Sequence, residues 1–74
     1  MSLFSNPILS ELDKKIVVFT IQEKFNSQIA EETGYSLGYI KKRLKYLFSL
    51  YRVKTKVGLA REFLKRNCHE FITE

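Results

Sequence analysis

Residues 26–51, reading NSQIAEETGYSLGYIKKRLKYLFSLY, restrict what this chain can fold into more than any other stretch. A short helical pattern, a break at Gly34-Tyr35 and a longer helical pattern follow one another, and Ser36 stands where it can accept backbone hydrogens at the second start. The order is that of a helix-turn-helix. Asn26 is the expected N-cap of the first helix, over residues 27–33. Ala30 is expected at the closest approach of the two helices, and Gly34 as the residue that ends the first by taking a positive φ.

On the second helix, at about 100° per residue from Ile40, Leu44, Leu47 and Tyr51 fall in one narrow sector, the expected buried face. Opposite them lie Gly38, Lys42, Lys45 and Ser49, with Lys41 on one shoulder and Tyr39 and Arg43 on the other. No acidic residue occurs between Leu37 and Val57. A helix face that is merely solvated usually interleaves both signs, so this one points to a polyanion. A helix of this size fits the major groove of B-DNA, about 12 Å wide, where all four base pairs are distinguishable.

Charge along the chain supports the same reading. Residues 1–34 hold three basic and five acidic residues, residues 35–67 hold ten and one, and residues 68–74 add two acids. A segment of +9 thus sits between two of −2, for a net charge of +5. Such a footprint suits nucleic acid. The rival use of a basic amphipathic helix is docking on an acidic protein or membrane surface.

The 74 residues predict one all-α domain of four helices around the central helix-turn-helix, in the size range where a single core supplies only about 3–5 kcal/mol. Residues 1–8 are expected to be a loose N-terminal segment, residues 9–67 the folded domain and residues 68–74 a tail in which Phe71 and Ile72 either cover apolar surface or fray. Ser10-Glu11-Leu12-Asp13 resembles a capping box, with Asp13 in the place of the usual Glu or Gln, and opens the first helix. Leu12, Ile16 and Phe19 form its stripe. Val18 points away, toward the tail or a partner. The β-branched run from Ile16 to Ile21 also permits a strand, but no partner strand can be found. Likewise the alternation from Arg52 to Val57 lacks the second strand that a wing needs, and residues 58–67 form the fourth helix.

An enzyme is not expected: the one Asp, one His and one Cys offer no paired carboxylates or triad, and no Gly-rich phosphate loop exists. Asp13 is expected to cap a helix. Cys68 beside His69 gives neither a disulfide nor zinc-ligand spacing, so neither metal nor cofactor is expected, and a reducing, cytoplasmic setting fits. No apolar run approaches the roughly 20 residues of a membrane span, and the start lacks a signal-peptide pattern.

Taken together, residues 9–64 resemble the LuxR-type (NarL/FixJ-like) helix-turn-helix domain of bacterial transcription regulators. Leu9-Ser10-Glu11-Leu12-Asp13 matches its Leu-Thr-x-x-Glu start. Asn26-Ser27-Gln28-Ile29-Ala30 matches its Asn-x-x-Ile-Ala helix, and Ser36-Leu37-Gly38-Tyr39-Ile40-Lys41 its Ser-x-x-Thr-Val-Lys start. Tyr51-Arg52-Val53-Lys54-Thr55-Lys56-Val57 matches its Leu-Gly-Val-Lys-x-Arg-Thr connector. The four blocks need no gaps. The chain departs from the pattern at Tyr39, where a small hydroxyl is usual, at Arg43 for His, at Arg52 for Gly and at Gly58 for Glu.

The resemblance implies a sequence-specific regulator that inserts the helix Leu37–Leu50 in the major groove of double-stranded DNA. It implies base reading by Lys41, Lys42 and Lys45, with guanine O6 and N7 as acceptors. It also implies phosphate contacts by Asn26, Ser27, Tyr39, Arg43, Lys54 and Lys56, and a homodimer paired through Leu59, Phe63 and Leu64 of the last helix. For Phe63 and Leu64 the competing role is in the monomer core. Family members usually carry a receiver or ligand-binding domain ahead of this one, as in response regulators. A related alternative is a promoter-binding module like sigma-factor region 4, working with RNA polymerase.

Overall fold

A computed structural model of the chain describes residues 9–66, and within them it is all-α, with four helices and no strand. They are α1 (Glu11–Ile21), α2 (Asn26–Thr33), α3 (Leu37–Tyr51) and α4 (Lys56–Arg66). The expectations for residues 1–8, and for Asn67, Cys68, His69, Phe71 and Ile72, lie outside the described residues.

Each helix start has a local cause. Ser10 Oγ accepts from the Asp13 amide at 3.1 Å and opens α1. Asp13 does not reciprocate, because its side chain is buried and turned to Arg43 of α3. At α2 the expected cap is one residue late: Asn26 is already helical and Phe25 is the cap residue. Phe25 has no side-chain acceptor, so its carbonyl takes the Gln28 and Ile29 amides, and its own amide donates to Gln28 Oε1 at 2.8 Å. Ser36 Oγ accepts from the Tyr39 amide at 3.1 Å and opens α3 as expected. Thr55 opens α4 two residues earlier than expected, with its Oγ1 taking the Gly58 amide at 2.9 Å.

The helix ends are equally local. Gly34 ends α2 at φ 81°, within a three-residue turn to α3. Glu23 and Arg52 do the same for α1 and α3 at φ 63° and 58°, although neither is glycine. In both, the amide one residue further on reaches back five residues, Lys24 to the Phe19 carbonyl and Val53 to that of Phe48. This is the double-bonded helix end that glycine normally serves. Arg52 thus stands in the left-handed conformation at the position where the family pattern has Gly.

One core joins the helices, built on Ile16 and Val17 of α1, Ile29 and Ala30 of α2, Ile40, Leu44, Leu47 and Tyr51 of α3, and Leu59 and Phe63 of α4. The buried face of α1 is rotated from its expected stripe: Asp13, Ile16, Val17 and Thr20 are buried, while Leu12, Phe19 and Val18 are half-buried. Thr20 affords its burial by donating to the Ile16 carbonyl at 2.8 Å. Gly58 is buried where a Cβ would come within 3.1 Å of Val53 Cβ, so the connector lies tight against the first turn of α4. Helices α1 and α3 each pack on all the others, whereas α2 and α4 do not pack on one another.

Candidate nucleic-acid interface

The buried edge of α3 fixes its outward face. Ile40, Leu44, Leu47 and Tyr51 are buried as their spacing predicts, and Lys41, Lys42, Lys45 and Ser49 are exposed. The axial rotation of α3 is further set by a two-point contact: Arg43 donates through Nε to Asp13 Oδ1 at 3.0 Å and through Nη2 to Oδ2 at 2.6 Å. Such fork-to-fork pairing defines an orientation as well as a distance. The hydrogen bond to Asp13 holds the Arg43 pKa above its ordinary value against desolvation. The guanidinium also lies over the Tyr46 ring, 4.5 Å from its centroid.

This pair engages Arg43, one of the expected phosphate contacts. Its Nε and Nη2 are engaged by the buried Asp13, and 29% of the Arg43 side chain stays exposed. Tyr39 remains at the surface, with its ring stacked on Tyr35 at 5.2 Å. Asn26 is half-buried, and Ser27 is exposed at the start of α2.

Ion pairing thins the basic segment unevenly. Lys65 and Arg66 are within 4.0 Å of Glu62. By contrast Lys41, Lys42, Lys45, Arg52, Lys54, Lys56 and Arg61 have no carboxylate within that distance among the described residues. Five of these seven are the base and phosphate candidates read from the sequence.

The structure divides them in space. Lys41, Lys45 and Lys56 line one cleft of about 200 Å³ with Asn26, Leu44 and Phe48. Lys42 is not among its lining residues, and neither is Lys54.

Two of the three expected dimer residues are turned inward in the monomer. Leu59 is fully buried and Phe63 nearly so, with the Phe63 ring edge-on to Tyr51 at 6.4 Å, so both belong to the monomer core. Leu64 is half-buried. The large exposed apolar residue of α4 is Val57, 74% exposed, and across a groove from it Phe25 is 72% exposed.

No group of three His, Cys, Asp or Glu side chains suited to a metal ion occurs among the described residues, and no described helix is long and apolar enough to cross a membrane. Comparison with protein-family models, curated proteins and solved structures gave no match to the chain.

Proposed function

We propose that this chain is a sequence-specific DNA-binding domain of a transcription regulator, of the LuxR-type helix-turn-helix kind, which lays α3 in the major groove. One observation carries the reading. Lys41, Lys42 and Lys45 stand exposed, without counter-ions, on a helix that follows a capped three-residue turn. At about 1.5 Å per residue, α3 is about 22 Å long, enough to cross a groove about 12 Å wide. Unpaired lysines on such a helix are the groups that displace counterions from DNA phosphates.

In this reading the regulator acts in the cytoplasm on duplex DNA, beside RNA polymerase, and two copies occupy a two-fold related site. Pairing through α4 then uses Val57, Ala60 and Leu64, since Leu59 and Phe63 are inside the monomer.

The test is selection from random duplex DNA at physiological salt, followed by titration of the recovered sequence against scrambled competitor. Recovery of an inverted repeat bound at least about 10³-fold tighter than scrambled DNA supports the proposal. Binding that is uniform across sequences and vanishes with modest salt sinks it.

A further inference from the structure

We infer that the cleft between the first turns of α2 and α4 is a phosphate site, and that Lys41 and Lys45 belong to it rather than to base reading. The proposed DNA binding enters only in naming the source of that phosphate, a phosphodiester of the duplex backbone.

The cleft draws on three helices. Lys41 and Lys45 come from successive turns of α3, about 6 Å apart along its axis. Lys56 comes from the first residue of α4 and Asn26 from the first residue of α2. Because α2 and α4 do not pack on each other, the gap between their starts stays open. Its floor is apolar, made by buried Leu44 and half-buried Phe48. Charges beside such a floor interact more strongly than in bulk water.

Two features of this cleft match the chemistry of a phosphate. Lys41, Lys45 and Lys56 line it with no carboxylate beside them, and none of the three has a carboxylate within 4.0 Å among the described residues, so their charge is uncompensated. Two helices begin there, and the first amides of a helix have no intrahelical acceptor and carry partial positive charge.

Position on α3 then separates the lysines. From Ile40, Lys41 and Lys45 lie about 100° and 140° round the helix, on the shoulder of Phe48, whereas Lys42 lies at about 200°. Lys42 is thereby left as the central outward lysine. Phosphate contacts set register and carry no sequence information, whereas base contacts specify. The two roles fall to different residues of one helix.

The test titrates the ¹⁵N-labelled chain with inorganic phosphate against chloride at equal ionic strength, with Lys41→Gln, Lys45→Gln, Lys56→Gln and Lys42→Gln beside the parent. The expected result is amide shifts centred on Asn26, Ser27 and Lys56. The first three variants weaken apparent phosphate affinity at least threefold, and Lys42→Gln leaves it unchanged. Shifts spread over Lys42, Arg52 and Lys54, or an equal loss in Lys42→Gln, overturn the site.

A second arm measures binding to a mixed-sequence duplex across salt concentrations. With all three cleft lysines replaced, the slope of log affinity against log salt is expected to fall by about 0.9, the share of one phosphate, and each single variant lowers it by less. Phosphate binding in the cleft without duplex binding upholds the site and refutes the DNA reading. Duplex binding whose slope ignores all three cleft lysines overturns the inference.

Discussion

Asp13 of α1 and Arg43 of α3, thirty residues apart, are joined by two hydrogen bonds of 3.0 and 2.6 Å. The carboxylate is buried, while 29% of the arginine side chain is exposed. The pair ties the exposed face of α3 to the opening helix of the chain. Because its two ends differ in access to water, they differ in what their removal costs. Arg43→Ala strands a buried carboxylate, a loss of about 3–5 kcal/mol, which is comparable with the whole stability of so small a domain. Asp13→Ala leaves a guanidinium that can turn to solvent, and is expected to cost clearly less. Urea unfolding of both variants checks this. Equal losses would mean that burial of Asp13 is not what makes the pair matter.

Arg52 holds φ 58° at the end of α3. A residue with a Cβ gives up about 1–2 kcal/mol in that conformation, and glycine's extra backbone entropy returns about 0.5–1 of it. Arg52→Gly is therefore expected to stabilise the fold by up to about 1 kcal/mol, while Arg52→Ala, which keeps the Cβ, gains nothing. Thermal unfolding midpoints of the two variants decide. A gain for Ala as large as for Gly would place the benefit in the lost arginine charge instead.

Leu59 and Val57 lie two residues apart on α4 and face opposite ways, one fully buried and the other 74% exposed. Leu59→Ala is expected to cost about 2–5 kcal/mol through the cavity it leaves, at any protein concentration. Val57→Glu is expected to change monomer stability by no more than about 0.5 kcal/mol. Unfolding at two protein concentrations a hundredfold apart, with sedimentation of each variant, separates the roles. A Leu59→Ala penalty that grows with concentration would return this residue to an interface between copies.

These cases separate what local spacing in the sequence carries from what packing decides. Ser10, Ser36 and Gly34 announced helix boundaries because each acts on a backbone group at most four residues away, so spacing alone locates the partner. The Ile40 stripe was legible for the same reason. Glu23 and Arg52 gave no warning, since an enforced left-handed turn in a non-glycine residue is set by packing on both sides. Thr55 was hidden inside an alternation that imitates a strand. On α4, apolar residues occupy two sides, Leu59 with Phe63 and Val57 with Ala60 and Leu64, and periodicity does not say which side meets the core. The Asp13–Arg43 pair and the meeting of Asn26, Lys41, Lys45 and Lys56 join distant parts of the chain. The lysines could be judged exposed from the wheel, but not sorted into partners.

Gly38, in the first turn of α3, is exposed, and a Cβ built there meets nothing within 4 Å. Space in the monomer therefore does not require glycine, and an exposed helical glycine costs about 0.5–1 kcal/mol relative to alanine. Gly38→Ala is expected to stabilise the fold by that amount. Its position opposite the buried stripe, beside Lys42 and Lys45, supplies a reason to keep it in the proposed function. Ser36 caps the Tyr39 amide, leaving the Gly38 amide without an intrahelical acceptor, and a missing side chain lets that amide approach a DNA strand closely. The same substitution is then expected to weaken duplex binding severalfold even as the unfolding midpoint rises. Both quantities come from one protein preparation, by urea unfolding and by titration with the selected duplex. A rise in stability with unchanged affinity would show that the first turn of α3 stays clear of the DNA, and would shift the contact surface toward Lys42 and the later turns.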